Sequence, residues 1–382
     1  MWKSSRLKEI VSNCKHSNHI VAKITHQALG HSIIDPLIYH GFYKIGVFEK
    51  KALFIVDEST SANRYVLTNF GRESQEFLQD RFSCGELHNL PILTRSMHDT
   101  SGIFHDFNRP FHHNICKPLE DHIQSNYQIP VALPEYLQTG RRYKKLLDDA
   151  RISEGEYLCL HYRESGFRSE NIAGSHHHRN TNPDTLIPLL DYCHKAKIRI
   201  LRMGIRGSTR IDHPAVYDYA NSTYSGPDLD LYVARGCLAW IGDSSGASSM
   251  ALLFRRPRWT FNNEPNKVSP VGMTSLDISI SMSLSGPISE HLFIPTCSDS
   301  EKRNQIPETS TNENSETLVH NNGLEILGMV RPALENLLAG DYSSYIRHLR
   351  NSDSHKAVLM NLVQGSYPAI NFGFGATGSL AA

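Results

Sequence analysis

The stretch Cys237-Leu-Ala-Trp-Ile-Gly-Asp-Ser-Ser-Gly246 is an apolar run of strand length that breaks into a turn of glycine and serine. Two earlier stretches have the same form, EYLCLHY at 156–162 and KIRILRMG at 197–204. From His161 to Arg202 is 41 positions and from Arg202 to Gly242 is 40, which leaves room for one helix and its loops between successive strands. That recurrence predicts a mostly parallel sheet covered by helices on both faces. DTLIPLLDYCHKA (184–196) has helical apolar spacing and supplies the first crossover, and DLDLYVARG (228–236) is a short helix feeding the third strand. RWTFNN (258–263), after the helical SSMALLFRR, adds a fourth strand.

Outward from this core the text is less regular. HIVAKITH (19–26) and KALFIVD (51–57) read as short strands, with loop and helix over 30–45 between them. Residues 96–134 read as loop, broken by Pro110, Pro118, Pro130 and Pro134, and RRYKKLLDDARIS (141–153) reads as a charged helix at the domain boundary. The division expected is 1–150, 151–350 and a terminal segment 351–382. Residues 298–322 are almost wholly polar and predict a loose excursion. GLEILGMVRPALENLLAG then predicts a helix interrupted near Pro332. No internal repeat is visible.

The 382 residues suffice for two domains, and 40% hydrophobic with 20% charged residues is an ordinary globular composition. Thirty-nine Lys plus Arg balance 39 Asp plus Glu, so there is no global basic field to hold nucleic acid. Seven scattered cysteines, odd in number and without a C-x-x-C pair, fit a reducing compartment. The start lacks the apolar stretch of a signal peptide, and nowhere do about 18 apolar residues run together. The expectation is a cytoplasmic protein with no integral membrane segment, reaching the inner membrane only peripherally through substrate or partners.

In open parallel sheets ligands collect at the carboxyl ends of the strands. The first strand delivers His161-Tyr-Arg163, the second Arg202-Met-Gly204, and the third Gly242-Asp-Ser-Ser-Gly246 before a helix. Arginine offers a planar fork of permanent donors, and a helix N-terminus offers free backbone N–H groups. Together they predict a pyrophosphate cradle. Gly242 and Gly246 would let the backbone approach an anion, and Ser244 or Ser245 would cap the helix. Taken singly, an arginine at a strand end is ordinarily an ion-pair residue, and a serine cap requires no ligand.

The H-x-R after one strand, together with DLDLYVARGCLAWIGDSSG and the Ala251 and Pro257 beyond it, resembles the donor half of fucosyltransferase-like GT-B glycosyltransferases. The layout CLHYRESGF, HHHRN, ILRMG, DYANS and WIGDSSG is similar to a bacterial glycosyltransferase family known mainly from sequence. The resemblance covers about residues 150–265 and, weakly, Leu29-Gly-His31. It implies two Rossmann-like domains with mostly parallel sheets facing a cleft, an acceptor-side N-terminal domain and a donor-binding C-terminal one. It also implies donor phosphate contacts from Arg163, Ser244 and Ser245. The match departs from H-x-R-R-x-D at Glu164, which leaves the donor sugar open.

Donor-side candidates are therefore His161, Arg163, Arg202, Gly204, Asp218, Tyr219, Asp243, Ser244, Ser245 and Gly246. On the acceptor side stand Gly30 and His31, with His31 a candidate general base and Asp35 its rival, or a mere helix-capping histidine. Arg163 and Arg202 would neutralise the departing nucleoside diphosphate without a metal ion or other cofactor, the donor itself being a substrate. The partners expected are a nucleotide sugar and a saccharide acceptor. Asp228-Leu-Asp230 reads as helix-start residues rather than a metal-binding pair. Adjacent His176, His177 and His178 point to opposite faces of an extended segment and do not suit one zinc ion. Gly373-Phe-Gly375-Ala-Thr-Gly378 lacks a following helix and reads as tail. Asn221-Ser-Thr223 is a sequon without a secretion route. The rival readings are a non-catalytic nucleotide or glycan binder on the same scaffold, and a Rossmann-type nucleotide-sugar-modifying enzyme.

Overall fold

A computed structural model of the chain describes residues 19–23, 29–30, 32–33, 51–57, 75–80, 137–164, 180–243, 245–263, 278–281, 283–284, 293–295 and 318–351, with single positions 36, 43, 63 and 65. The chain divides into two compact units, Met1–Tyr136 and Leu137–Ala382. In the first unit, strands β1 (His19–Lys23), β2 (Lys51–Asp57) and β3 (Gln75–Asp80) form a parallel sheet in the order β1-β2-β3. The first two are the strands expected from sequence. β3, QEFLQD, carries too much polarity to announce itself.

The second unit begins with helix α1 (Leu137–Ala150), so the boundary falls before this helix rather than after it. The reason is its packing. The Arg142 guanidinium and the Thr139 hydroxyl both donate to Asp228, at 2.8 and 3.0 Å, and Tyr143 meets the Tyr157 hydroxyl at 3.0 Å. Seven strands follow in one sheet: β4 (Tyr157–His161), β5 (Arg199–Arg202), β6 (Val216–Tyr217), β7 (Ala239–Asp243), β8 (Arg258–Asn263), β9 (Ile278–Ser281) and β11 (Phe293–Pro295), in the order β11-β9-β8-β7-β4-β5-β6. Every pairing from β9 to β6 is parallel, and only β11 runs antiparallel to its neighbour. β10 (Ser283–Leu284) and β12 (Leu318–Val319) make a separate antiparallel pair.

Both faces of the sheet are covered, and the strands show it in their side chains. On one face Leu158, Leu160, Ile200, Ala239, Ile241, Trp259 and Phe261 pack with α2 (Ile187–Lys195) and α5 (Gly323–Leu338). On the other, the Tyr157 hydroxyl and the Cys159 thiol both donate to the Val233 carbonyl of α3 (Pro227–Gly236). Strands buried on both sides read as unbroken apolar runs, which is why the sequence marks β4, β5 and β7 so plainly. Gly236 ends α3 where any side chain would collide with the Tyr143 and Tyr157 hydroxyls.

One sequence expectation fails here. α5 runs unbroken through Pro332. Met329, Val330, Ala333 and Leu334 around it are buried against the sheet, and tertiary burial outweighs the lost backbone bond. Of the polar stretch 298–322, residues 298–317 lie outside the described residues; in the rest Leu318 and Val319 pair with β10 and Asn322 caps α5 in a capping box with Glu325.

Asp228 and Asp230 do sit in the first turn of α3, as expected of helix-start residues. Asp230 accepts the Tyr219 hydroxyl at 2.7 Å, and burial pushes its carboxyl up to about 7, with the Asp228 charge adding to the rise. A carboxyl whose folded value lies above its unfolded one supports the fold in acid and loses that support as pH rises through about 7. Asp230→Asn, which keeps the acceptor for Tyr219, is therefore expected to gain on the parent between pH 4.5 and pH 8. The gain is at most about 4 kcal/mol. Urea midpoints of both proteins at the two pH values check it, and a constant difference refutes it.

Candidate functional site

The chain enters the large sheet at β4, moves outward to β5 and β6, then returns to the other side of β4 to lay down β7 and β8. The direction of winding reverses between β4 and β7. Crossovers from neighbouring strands leave on opposite faces there and open a crevice at the carboxyl edge. His161 is paired in register with Gly242, so the two exits lie side by side. This reversal brings His161-Tyr-Arg163 together with Asp243 and the turn after it as the candidate site.

Asp243 organises that edge. It is fully buried at the end of β7, and its Oδ2 accepts the Arg163 backbone N–H and, at 3.3 Å, the Thr181 hydroxyl. Thr181 also donates its backbone N–H to the Arg163 carbonyl at 3.0 Å. Behind it, the Asn262 side-chain amide reaches the Thr181 hydroxyl at 3.2 Å, and Asn262 and Asn321 exchange backbone-to-side-chain bonds at 2.7 and 2.8 Å. A buried polar chain thus runs from the capping box of α5 to the strand exits. Such a chain fixes positions well only when satisfied, which makes each member a constraint on its neighbour. Sequence reasoning missed Thr181, Asn262 and Asn321, since three isolated polar residues in loops and at a strand end carry no local signal.

The His161 ring lies on Trp240, with centroids 6.3 Å apart and planes at 25°. Its Nδ1 is 3.1 Å from the Ser245 hydroxyl and 3.7 Å from Asp243 Oδ1. Ser245 precedes a single 3-10 turn (Gly246–Ser248) and the five-residue helix α4 (Ser249–Leu253). Its hydroxyl makes no cap, contrary to the sequence expectation, because His161 engages it instead. Gly246 is exposed at the edge. Gly242 is glycine for a different reason than the one expected: a side chain there would strike the His161 carbonyl across the sheet. Ser244 and His31 lie outside the described residues, as do His176, His177 and His178 and the terminal glycine motif. Gly30 is helical and buried in the first unit.

Arg202 ends β5, one strand away from the reversal, and its guanidinium is 1% exposed. Nη2 donates to Glu164 at 3.1 Å, Nη1 donates to Ser208 at 2.5 Å and to Asp218 at 3.4 Å, and the plane lies 4.9 Å over the Tyr162 ring. Arg202 is therefore an internal strut, not an open phosphate ligand. Glu164, where the resembled pattern has a second basic residue, is its counter-charge and also accepts the Thr209 backbone N–H at 3.0 Å. Asp218 likewise is occupied, accepting from Arg202 and from Asn221 at 2.8 Å. Tyr219 is fully buried and turned toward Asp230. Gly204 turns at φ +153° beside Arg202 and Ser208, a conformational requirement of the loop. These four support the loop after β5, one strand away from the reversal.

No protein-family model matches the chain, and no curated protein does. Among solved structures, the glycosyl transferase family 9 protein from Veillonella parvula DSM 2008 aligns over 84% of this chain and 98% of its own, with a TM-score of 0.50 and 11% sequence identity. E. coli heptosyltransferase WaaC with ADP aligns over 65% and 88%, with a TM-score of 0.34 and 10% identity. The fucosyltransferase-like part of the resemblance is not confirmed by these two structures. The first likeness, with the parallel sheets above, makes the chain a mixed α/β protein of GT-B type in fold.

Proposed function

We propose that the protein is a glycosyltransferase that moves a sugar from a nucleotide-sugar donor to a saccharide acceptor without a metal ion. The observation that carries this reading is the reversal of winding between β4 and β7. It gathers His161, Arg163, Asp243, Ser245 and Gly246 at one carboxyl edge. The glycosyl transferase family 9 structure of the same fold supports it, and so does the H-x-R and G-D-S-S-G resemblance in these same segments.

In the reaction, an acceptor hydroxyl attacks the anomeric carbon and loses its proton to a base, for which His31 is the sequence's candidate. The bond from that carbon to the diphosphate breaks. Arg163 and the exposed turn at Gly246 would stabilise the charge left on the nucleoside diphosphate. No described helix is long and apolar enough to cross a membrane.

A thermal-shift panel of ADP, CDP, GDP, UDP and NAD tests the reading, followed by release of the nucleoside diphosphate from the matching sugar donors. At least one diphosphate should raise the melting temperature, and NAD should not. Stabilisation by NAD alone would favour a Rossmann oxidoreductase. Arg163→Ala retains the backbone N–H that holds Asp243 and is expected to unfold within a few degrees of the parent. Its diphosphate affinity should fall about 10- to 100-fold, the scale of one or two charged hydrogen bonds. Parent-like affinity in that variant would remove Arg163 from the site.

A further inference from the structure

Asp243 has one carboxylate oxygen fully engaged and one left over. Oδ1 is buried without a hydrogen-bond partner among the described residues, in a residue with no exposed surface. A buried carboxyl oxygen so placed lacks a donor, a costly condition that native interiors ordinarily relieve. Among the described residues His161 Nδ1 faces it at 3.7 Å, too far for a bond and within reach after a small movement of the ring. That nitrogen is meanwhile 3.1 Å from the Ser245 hydroxyl, whose proton it can accept. The ring is held flat on Trp240 and keeps 13% of its side chain exposed at the edge where an anion would arrive. The described elements bring these charged groups to the edge: Asp243 from β7, Arg163 and Glu164 from the exit of β4, Arg202 from β5 and Asp218 after β6. Of these, Glu164, Arg202 and Asp218 pair with one another.

We propose that His161 and Asp243 are a proton-accepting pair: arrival of the donor diphosphate draws one proton from solvent onto the imidazole, whose Nδ1–H then donates to Asp243 Oδ1. The proposal rests on the nucleotide-sugar reading of this edge. Neutral imidazole has one N–H, whereas imidazolium has two. The charged ring satisfies the orphaned carboxylate oxygen with one and offers the other to a phosphate oxygen. The ligand's negative charge, arriving beside the ring, favours the cation in the complex. Asp243 is thus a positioning residue acting through His161, and nothing but a proton is exchanged with solvent.

Calorimetric titration of the full chain decides it, using whichever of ADP, CDP, GDP and UDP binds, at pH 7.5 in two buffers of different ionisation enthalpy. The parent is expected to take up measurably more protons per ligand than His161→Gln, because the ligand's own protons cancel in the comparison. Asp243→Asn should lower the uptake to the His161→Gln level. Equal uptake by parent and His161→Gln overturns the pair while leaving the nucleotide reading standing. Failure of all four nucleotides to bind overturns that reading and the pair with it. Should either variant unfold, the ring 15N resonances of His161 in the parent decide instead: ligand must move them to imidazolium positions, and unmoved resonances refute the proposal.

Discussion

Arg202→Ala is expected to cost about 3–5 kcal/mol of stability, the range for removing one member of a buried ion pair. The effect should appear in unfolding and not selectively in ligand binding. The argument lies in what would remain. Glu164 and Asp218 would keep their charges at 24% and 19% side-chain exposure with their shared cation gone. The Ser208 hydroxyl would lose its guanidinium donor and the Tyr162 ring its cation. Glu164 also holds the Thr209 backbone, and Asn221 ties Asp218 to the Gly207 N–H and the Ser208 carbonyl. The loop between β5 and β6 should therefore loosen as a unit. Arg202→Lys keeps the charge but loses the fork that reaches both carboxylates, so it should recover only part of the loss. Urea unfolding, with amide exchange over 204–212, measures both. A variant that unfolds like the parent and only binds diphosphate less well would restore Arg202 to the ligand contacts.

The contrast between Arg163 and Arg202 shows where sequence reasoning stops. Both close an apolar run, and spacing alone makes them equivalent. Strand order separates them, and strand order is a long-range choice. After β4, a right-handed crossover can lay the next parallel strand on either side, and nothing in the local text records which side is taken. The buried strands β4, β5, β7 and β8 and the helices α2 and α3 were legible because burial on both faces leaves an apolar run and helical spacing leaves a stripe. β6, with two residues, and β3, with four polar side chains around Phe77-Leu78, leave neither mark. The same limit explains Asp218 and Tyr219: a loop aspartate and its neighbour look available until the tertiary fold turns them onto Arg202 and Asp230.

Gly242→Ala should be severe in a way its chemistry does not advertise. Gly242 lies inside β7 in extended backbone, paired to His161 of β4, and an added methyl would strike the His161 carbonyl. A backbone atom in the middle of a sheet cannot swing aside as a side chain can, so the two central strands must separate or slip. Overpacking of this kind is expected to cost about 3 kcal/mol. It should also displace both His161 and the Arg163 N–H held by Asp243, and with them nucleotide binding. Gly155→Ala is the fitting comparison. That glycine has φ +86° but nothing near its would-be methyl, so only backbone strain of about 1–2 kcal/mol applies and the sheet edge stays intact. Thermal unfolding and the diphosphate panel on both variants separate the cases. If Gly242→Ala binds and melts like the parent, β4 and β7 do not approach as closely as their register requires, and the edge they build cannot be the site.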